Sequence, residues 1–380
     1  MSRRWNILAG SILILVFFSM VLYLLLNPTR TGVVPNYRFA ASHWWISQSM
    51  YPGGTHGFLY APVFAVLFSA IHFLQPEVLG EILWRAIGFG LFGLGLWKLA
   101  GNLNRPQARM GRSDPALFGI VLLAVPASLA SLHNGQTNLP LSACLVLAAV
   151  ALRDQKWNRA ALLLSISLIL KPVALAPWLL ACAVIPAMRI PLLLGLPALA
   201  LVGFLHPDPS YAWGQWAEFF HKLTASYIPE NLRVSDLFGA LGKWGVLVPP
   251  ALEKGTRALA SLGALAWVWQ SFRRHGVAPA AWALWVTTAL VFTIFNPRVE
   301  TNSYVLISPL LAFAAVNSWR EGARDSWKGW ILAVACLGLM CDGMGKTIYL
   351  ATDVWFKPLI VLLVSPLLFR MPESWKKKSI

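Results

Sequence analysis

The chain has 380 residues, of which 57% are hydrophobic and only 12% charged, a balance too apolar for one soluble core to hide. Its formal net charge of +16 does not point to nucleic acid, because the basic residues are divided among short loops and form no stripe with interleaved aromatics. No soluble domain, low-complexity linker or fixed-period repeat is visible, so residues 1–380 read as a single all-α polytopic membrane domain.

Apolar runs recur from end to end. The first, Trp5–Leu26, follows Arg3 and Arg4; no small-x-small cleavage site comes after Leu26, so it reads as a transmembrane helix and not as a removed signal. Next come Phe58–Leu74, Ala86–Ala100, Ala116–Leu132, Leu139–Leu152, Ala160–Leu170, Val173–Ile185 and Pro191–Leu205. The series closes with Ala258–Trp269, Val277–Phe295, Tyr304–Val316, Gly329–Leu339 and Pro358–Phe369. Some approach the length a bilayer demands and others need help from their flanks.

The loops holding Arg3, Arg105, Arg109, Arg153, Arg189, Arg273, Arg320, Arg370 and Lys376 fall on one side by the positive-inside rule, which makes both termini cytoplasmic. An even number of crossings follows, about twelve. Phe58–Leu74, followed by Glu77, Glu81 and Arg85, is the weakest run. Residues 58–100 are therefore expected to supply one net crossing and a re-entrant or tilted piece, tolerable where protein shields the backbone.

The same frame places Asn27–Gly57, His133–Asn138, His206–Pro250, Asn296–Ser303 and Asp342–Lys357 outside. The first outer loop reads as an amphipathic surface helix over Asn36–Met50, closed by Pro52-Gly53-Gly54. Its Trp44 and Trp45, with Tyr211, Trp213, Trp216 and Trp244 of the long outer loop, read as interfacial anchors. Cys144, Cys182, Cys336 and Cys341 sit in apolar spans as packing residues. His56, His72, His133 and His206 are scattered, so no histidine-built metal site is expected. With no HExxH, GxSxG, Walker A or dinucleotide-binding glycine pattern, soluble cofactor chemistry is not expected either.

Polar residues at bilayer depth are costly, so each raises the question of its partner. Four clusters stand out, all on the outer side: residues 133–138, Lys171-Pro172, residues 230–236 and residues 296–304. Lys171 ends an apolar decamer, so its ammonium snorkels outward, pairs with an acid or meets an anionic ligand. Arg298 either pairs with Glu300 near a helix end or offers its fork to a phosphate. Gln136 and Asn138 either cap a turn or recognise hydroxyls.

Five pieces then fall in a familiar order: Tyr37-Arg38-Phe39-Ala40-Ala41 with Leu59-Tyr60-Ala61-Pro62; Gly135-Gln136-Thr137-Asn138-Leu139; Leu170-Lys171-Pro172; Val234-Ser235-Asp236-Leu237; and Asn296-Pro297-Arg298 leading to Tyr304. The chain resembles the polyprenyl-phosphate-sugar-dependent glycosyltransferases of the GT-C class, specifically family 87, which includes bacterial mannosyltransferases. The resemblance implies a GT-C-like bundle in the inner or plasma membrane with its active face outside. It implies a lipid-phosphate-linked sugar as donor, a hexose with mannose included, and no cofactor or nucleotide sugar. The partners implied are membrane lipids and a lipid- or glycan-linked acceptor, with no nucleic acid. On the matching positions, Lys171 and Arg298 are expected to hold the donor phosphate and Gln136 and Asn138 to contact hydroxyls. Tyr37 and Tyr60 are expected to shape the pocket, with Ser235 and Tyr304 also contacting substrate.

One departure matters. The family's catalytic carboxylate is expected four positions before Tyr37, where Val33 stands, and residues 27–57 contain no Asp or Glu. Glu300, Asp236 and Glu230, in that order, are the candidate replacements, and His43 or His56 would serve as an imidazole base. Two other readings stay open: a non-catalytic relative binding a lipid-linked glycan in an envelope assembly complex, and a transporter or flippase of lipid-linked substrate, which internal repeats would favour.

Overall fold

The computed structural model describes residues 2–30, 32–53, 56–103, 115–225 and 234–376, and among these the chain is helical with no strand. Arg3–Leu26, Glu77–Leu103, Ala116–His133 and Val277–Phe295 are long and apolar enough to cross a bilayer. Two bent pairs, Pro172–Val184 with Pro186–Val202 at 119° and Ser326–Gly343 with Lys346–Thr352 at 116°, raise the number to at most six when each pair is counted as one span. Proline explains the first bend: Ile185, forced into an extended conformation before Pro186 (φ −107°, ψ 100°), cannot continue the helix. Ile14, Leu15, Phe18 and Leu22 are each more than half exposed, a surface suited to lipid. Helical throughout its described residues and carrying several apolar spans, the protein is a helical membrane protein.

Residues 58–100 separate into an 11-residue helix, Pro62–His72, and one unbroken 27-residue helix, Glu77–Leu103. At 1.5 Å per residue the second spans about 40 Å. The charges that weaken this stretch on paper neutralise one another inside the protein: Arg85 pairs with Glu81 one turn away, their side chains 1% and 4% exposed.

The first outer loop differs from expectation in extent and in burial. Its helix runs Val34–Trp45, and the positive φ of Ser47 (55°) lies just beyond its end. Tyr37, Ala40, Ala41 and Trp44 are buried, so this helix is part of the packed body and Trp44 is no interfacial anchor. Trp45, Trp213 and Trp244 keep exposed faces. In the described part of the segment between His206 and Pro250, the helix Pro209–Ala225 clamps the first loop. Gln215 accepts from the Met50 amide (2.9 Å), Lys222 donates to the Pro52 carbonyl (2.7 Å) and Tyr211 to the Gln48 carbonyl (2.7 Å). Residues 104–114 and 226–233, including Arg105, Arg109 and Glu230, lie outside the described residues.

Two buried apolar clusters form the core. One gathers side chains of Glu77–Leu103, Ala116–Ala124, Val277–Leu290 and Ser308–Arg320; the other gathers Val34–Trp45, Pro62–His72, Asn138–Arg153 and Trp157–Leu170. All four cysteines are free thiols, three of them buried.

Candidate active site

A cavity of about 350 Å³ collects residues far apart in the chain: Val33, Tyr37, His56 and Tyr60 from the first outer segment, Gln136 and Thr137, Lys171, Leu223, and Asn296, Arg298 and Glu300. All but Tyr60, which opens the apolar run just after the first outer loop, come from segments placed outside by the charge pattern. Gln155, Arg274, His275, Arg370 and Lys376, from segments placed inside, line a different cavity.

The 133–138 turn is held from beneath. Gly135 adopts φ +62°, a left-handed conformation that glycine takes at little cost. Trp84 donates to the Gly135 carbonyl (2.7 Å), while Arg85 reaches the carbonyls of Leu132 (3.1 Å) and His133 (3.0 Å). Val33 donates its amide to the Asn134 carbonyl (3.0 Å), which fixes position 33 at the cavity edge. A methyl group at Gly135 would clash with Val34 and crowd the Arg85 guanidinium. Gly135→Ala is therefore expected to destabilise the protein by about 1–3 kcal/mol, seen as a lower thermal unfolding midpoint.

Lys171 precedes Pro172, and the extended backbone that proline imposes (φ −161°, ψ 124°) stops the preceding helix at Leu170. Its Nζ donates to Asn138 Oδ1 (2.7 Å), using one of three N–H donors. Asn138 in turn donates to Gln136 Oε1 (2.5 Å) and Asn302 Oδ1 (3.3 Å). Gln136 Nε2 (2.9 Å) and Asn302 Nδ2 (3.1 Å) both donate to Glu300 Oε2. Glu300 also caps the helical turn Thr301–Leu306 through a reciprocal capping box with Ser303. Its carboxylate is thus oriented by two amides and its own turn. Just upstream, the π-helical turn Val291–Phe295 ends the preceding span, and Asn296 Oδ1 accepts from the Arg298 amide (3.1 Å).

Burial lowers the Lys171 pKa, with Arg298 lowering it further and Glu300 opposing. Arg298 is lowered by burial as well, again opposed by Glu300. The Tyr37 and Tyr60 phenols, 3.1 Å apart, are raised by burial and stay neutral; Tyr60 also contacts Thr137 Oγ1 (3.3 Å). Two cations against one carboxylate leave the cavity net positive, a field that an anionic ligand relieves.

Other expected residues lie elsewhere. Asp236 is fully buried, caps the helix Leu237–Lys243 by accepting from the Gly239 amide (2.7 Å), and pairs with Arg257 (2.5 Å); it does not line the cavity. Ser235 donates to the Val354 carbonyl (3.0 Å), and Tyr304, fully buried, donates to the carbonyls of Ser235 (2.7 Å) and Thr293 (2.9 Å). These three brace the segment behind Glu300 and do not line this cavity. His43 sits against the Phe39 carbonyl (2.9 Å) and away from the cavity, whereas His56 lines it. Asn138 is fully buried and does not line the cavity; it bonds Lys171, Gln136 and Asn302. Asn302, Thr137 and Arg85 were not singled out from sequence. Asn302, an amide two residues beyond a candidate acid, was the most visible of them.

The model of glycosyltransferase family 87 matches residues 58–309, more than half of the chain. No curated protein matches it. The matched stretch contains Tyr60, Gln136, Lys171, Arg298 and Glu300, the greater part of the cavity's polar wall, and the chain belongs to glycosyltransferase family 87.

Proposed function

We propose that this protein transfers a hexose, such as mannose, from a polyprenyl-phosphate donor to a lipid- or glycan-linked acceptor on the outer face of the inner or plasma membrane, without a cofactor. The observation that carries the reading is the meeting of Val33, Glu300, Lys171 and Arg298 in one cavity. The position from which the first-loop acid is missing and the carboxylate of Glu300 share a single space with two cations. Glu300 then takes the proton of the acceptor hydroxyl as its oxygen attacks the sugar C1. The C1–O bond to phosphate breaks, and Lys171 and Arg298 stabilise the charge on the departing polyprenyl phosphate. Gln136 and Asn302 keep the carboxylate in place, and Tyr37 and Tyr60 bound the sugar's side of the cavity.

The test is direct. Purified protein given a synthetic polyprenyl-phosphate hexose and a membrane acceptor fraction should yield glycosylated product and an equal amount of free polyprenyl phosphate; neither product would sink the reading. Lys171→Ala and Arg298→Ala should each weaken donor binding about tenfold or more, and unchanged affinity would show that the phosphate binds elsewhere. Because burial lowers the Lys171 pKa, donor affinity should decline as pH rises through that lowered value, below the ordinary lysine range.

The architecture we propose is GT-C-like with twelve crossings. They are the four long spans, the two limbs of the first bent pair taken separately, Asn138–Arg153, Trp157–Leu170, Pro250–His275, Ser308–Arg320, Ser326–Gly338 and Phe356–Val364. Pro62–His72 does not cross. In a background stripped of native cysteines, Gln136→Cys and Lys156→Cys should react with impermeant reagent from opposite sides; labelling from the same side would refute the topology.

A further inference from the structure

Glu300 belongs to two cavities. Beside the one that holds Lys171 and Arg298 lies a second, of about 590 Å³, whose wall includes Glu300, Asn134, Asn302, Asp342, Tyr349 and Asp353. Its size falls in the usual range for small-molecule sites.

The two cavities differ in chemistry. The first contains a lysine and an arginine, whereas among the described residues the second has neither and carries three carboxylates, two side-chain amides, a phenol and the His133 imidazole. Carboxylates accept hydrogen bonds from hydroxyls and amides both donate and accept, so this lining suits a neutral polyol and repels a phosphate.

The second wall is built rigidly onto the Glu300 turn. Lys357, 1% exposed, pairs with Asp342 (2.8 Å) and donates to the Thr301 carbonyl (2.9 Å), the residue after Glu300. Ser131 Oγ donates to the Asn302 carbonyl (2.8 Å) from the other side. Asp353 is buried at 6% exposure. Asp342, Tyr349 and Asp353 also lie beyond residue 309, where the family match ends.

We propose that the second cavity binds the neutral, hydroxyl-rich head group of the acceptor, with Glu300 in the shared wall between acceptor and donor. This rests on the transferase reading above. The acceptor hydroxyl lies on one side of Glu300 and gives its proton to the carboxylate. Its oxygen forms the new bond to the sugar C1, and the phosphate leaves with the electrons of the C1–O bond on the cationic side.

The experiment uses the full chain in phosphatidylcholine nanodiscs and two probes below their micelle-forming concentrations, a short-chain alkyl hexoside and a short-chain alkyl phosphate, with affinities from saturation-transfer NMR. Asp353→Asn should weaken the hexoside about tenfold and leave the phosphate within about twofold. Gly343→Phe serves as a second variant because Gly343 lines the cavity and a side chain there meets open space; it should block the hexoside alone. Lys171→Met should do the reverse. The inference is overturned if the hexoside does not bind, if neither Asp353→Asn nor Gly343→Phe weakens it, or if both probes weaken together in those variants. Phosphate binding indifferent to Lys171→Met would instead overturn the donor site, leaving the hexoside result to judge the second cavity by itself.

Discussion

Glu300→Gln is expected to lower the transfer rate by about two to four orders of magnitude while leaving donor affinity within about twofold. Glutamine keeps the shape of the side chain and an oxygen able to accept from Gln136 Nε2 and Asn302 Nδ2, so the amide network and the cavity wall persist. What is lost is the proton acceptor. No other carboxylate lines the Lys171 cavity among the described residues, and Asp236 is committed to Arg257 and a helix cap. A variant that binds donor but does not transfer separates loss of the base from loss of the site. If Glu300→Gln retained full activity, His56, which lines the same cavity, would become the base to examine.

Arg85→Leu is expected to cost about 3–5 kcal/mol of stability, because it leaves the Glu81 carboxylate buried without its cation. The effect should extend to function. Arg85 also holds the carbonyls of Leu132 and His133, so its loss frees the turn that presents Gln136, and donor affinity should fall with the unfolding midpoint. The double variant Glu81→Leu/Arg85→Leu should recover much of the stability, since an apolar pair can replace a buried ion pair at little cost, but not the donor affinity. Thermal unfolding in detergent micelles alongside donor titration would read both. A double variant no more stable than Arg85→Leu would contradict this account.

Much of the candidate site was legible because a polar group at the end of an apolar run must find a partner. Gln136, Lys171, Arg298 and Glu300 all stood out on that ground, and the positive-inside pattern put them on one side before any contact was known. Glu81 and Arg85 read as a flaw in a span because sequence shows two charges in an apolar helix without showing that they cancel. Trp44 illustrates another limit: tryptophan in an outer loop fits an interface, whereas in the fold it is fully buried, with His206 and Tyr211 packed against its ring. Asp236, Ser235 and Tyr304 belong to the same motifs yet lie outside the Lys171 cavity, since motif membership does not say which side chain lines a space and which braces the backbone behind it. The second cavity was illegible, since Asn134, Asn302 and Asp353 meet only through tertiary folding.

The central claim is that Lys171 and Arg298 hold a lipid phosphate with the sugar toward Glu300. A structure of the full chain with a non-cleavable polyprenyl-phosphonate hexose tests it most directly. The account predicts phosphonate oxygens about 3 Å from Lys171 Nζ and the Arg298 guanidinium, with the sugar C1 on the Glu300 side. A phosphonate seated in the cavity of Arg274, Arg370 and Lys376 at the opposite end, with the Lys171 cavity empty, would contradict it.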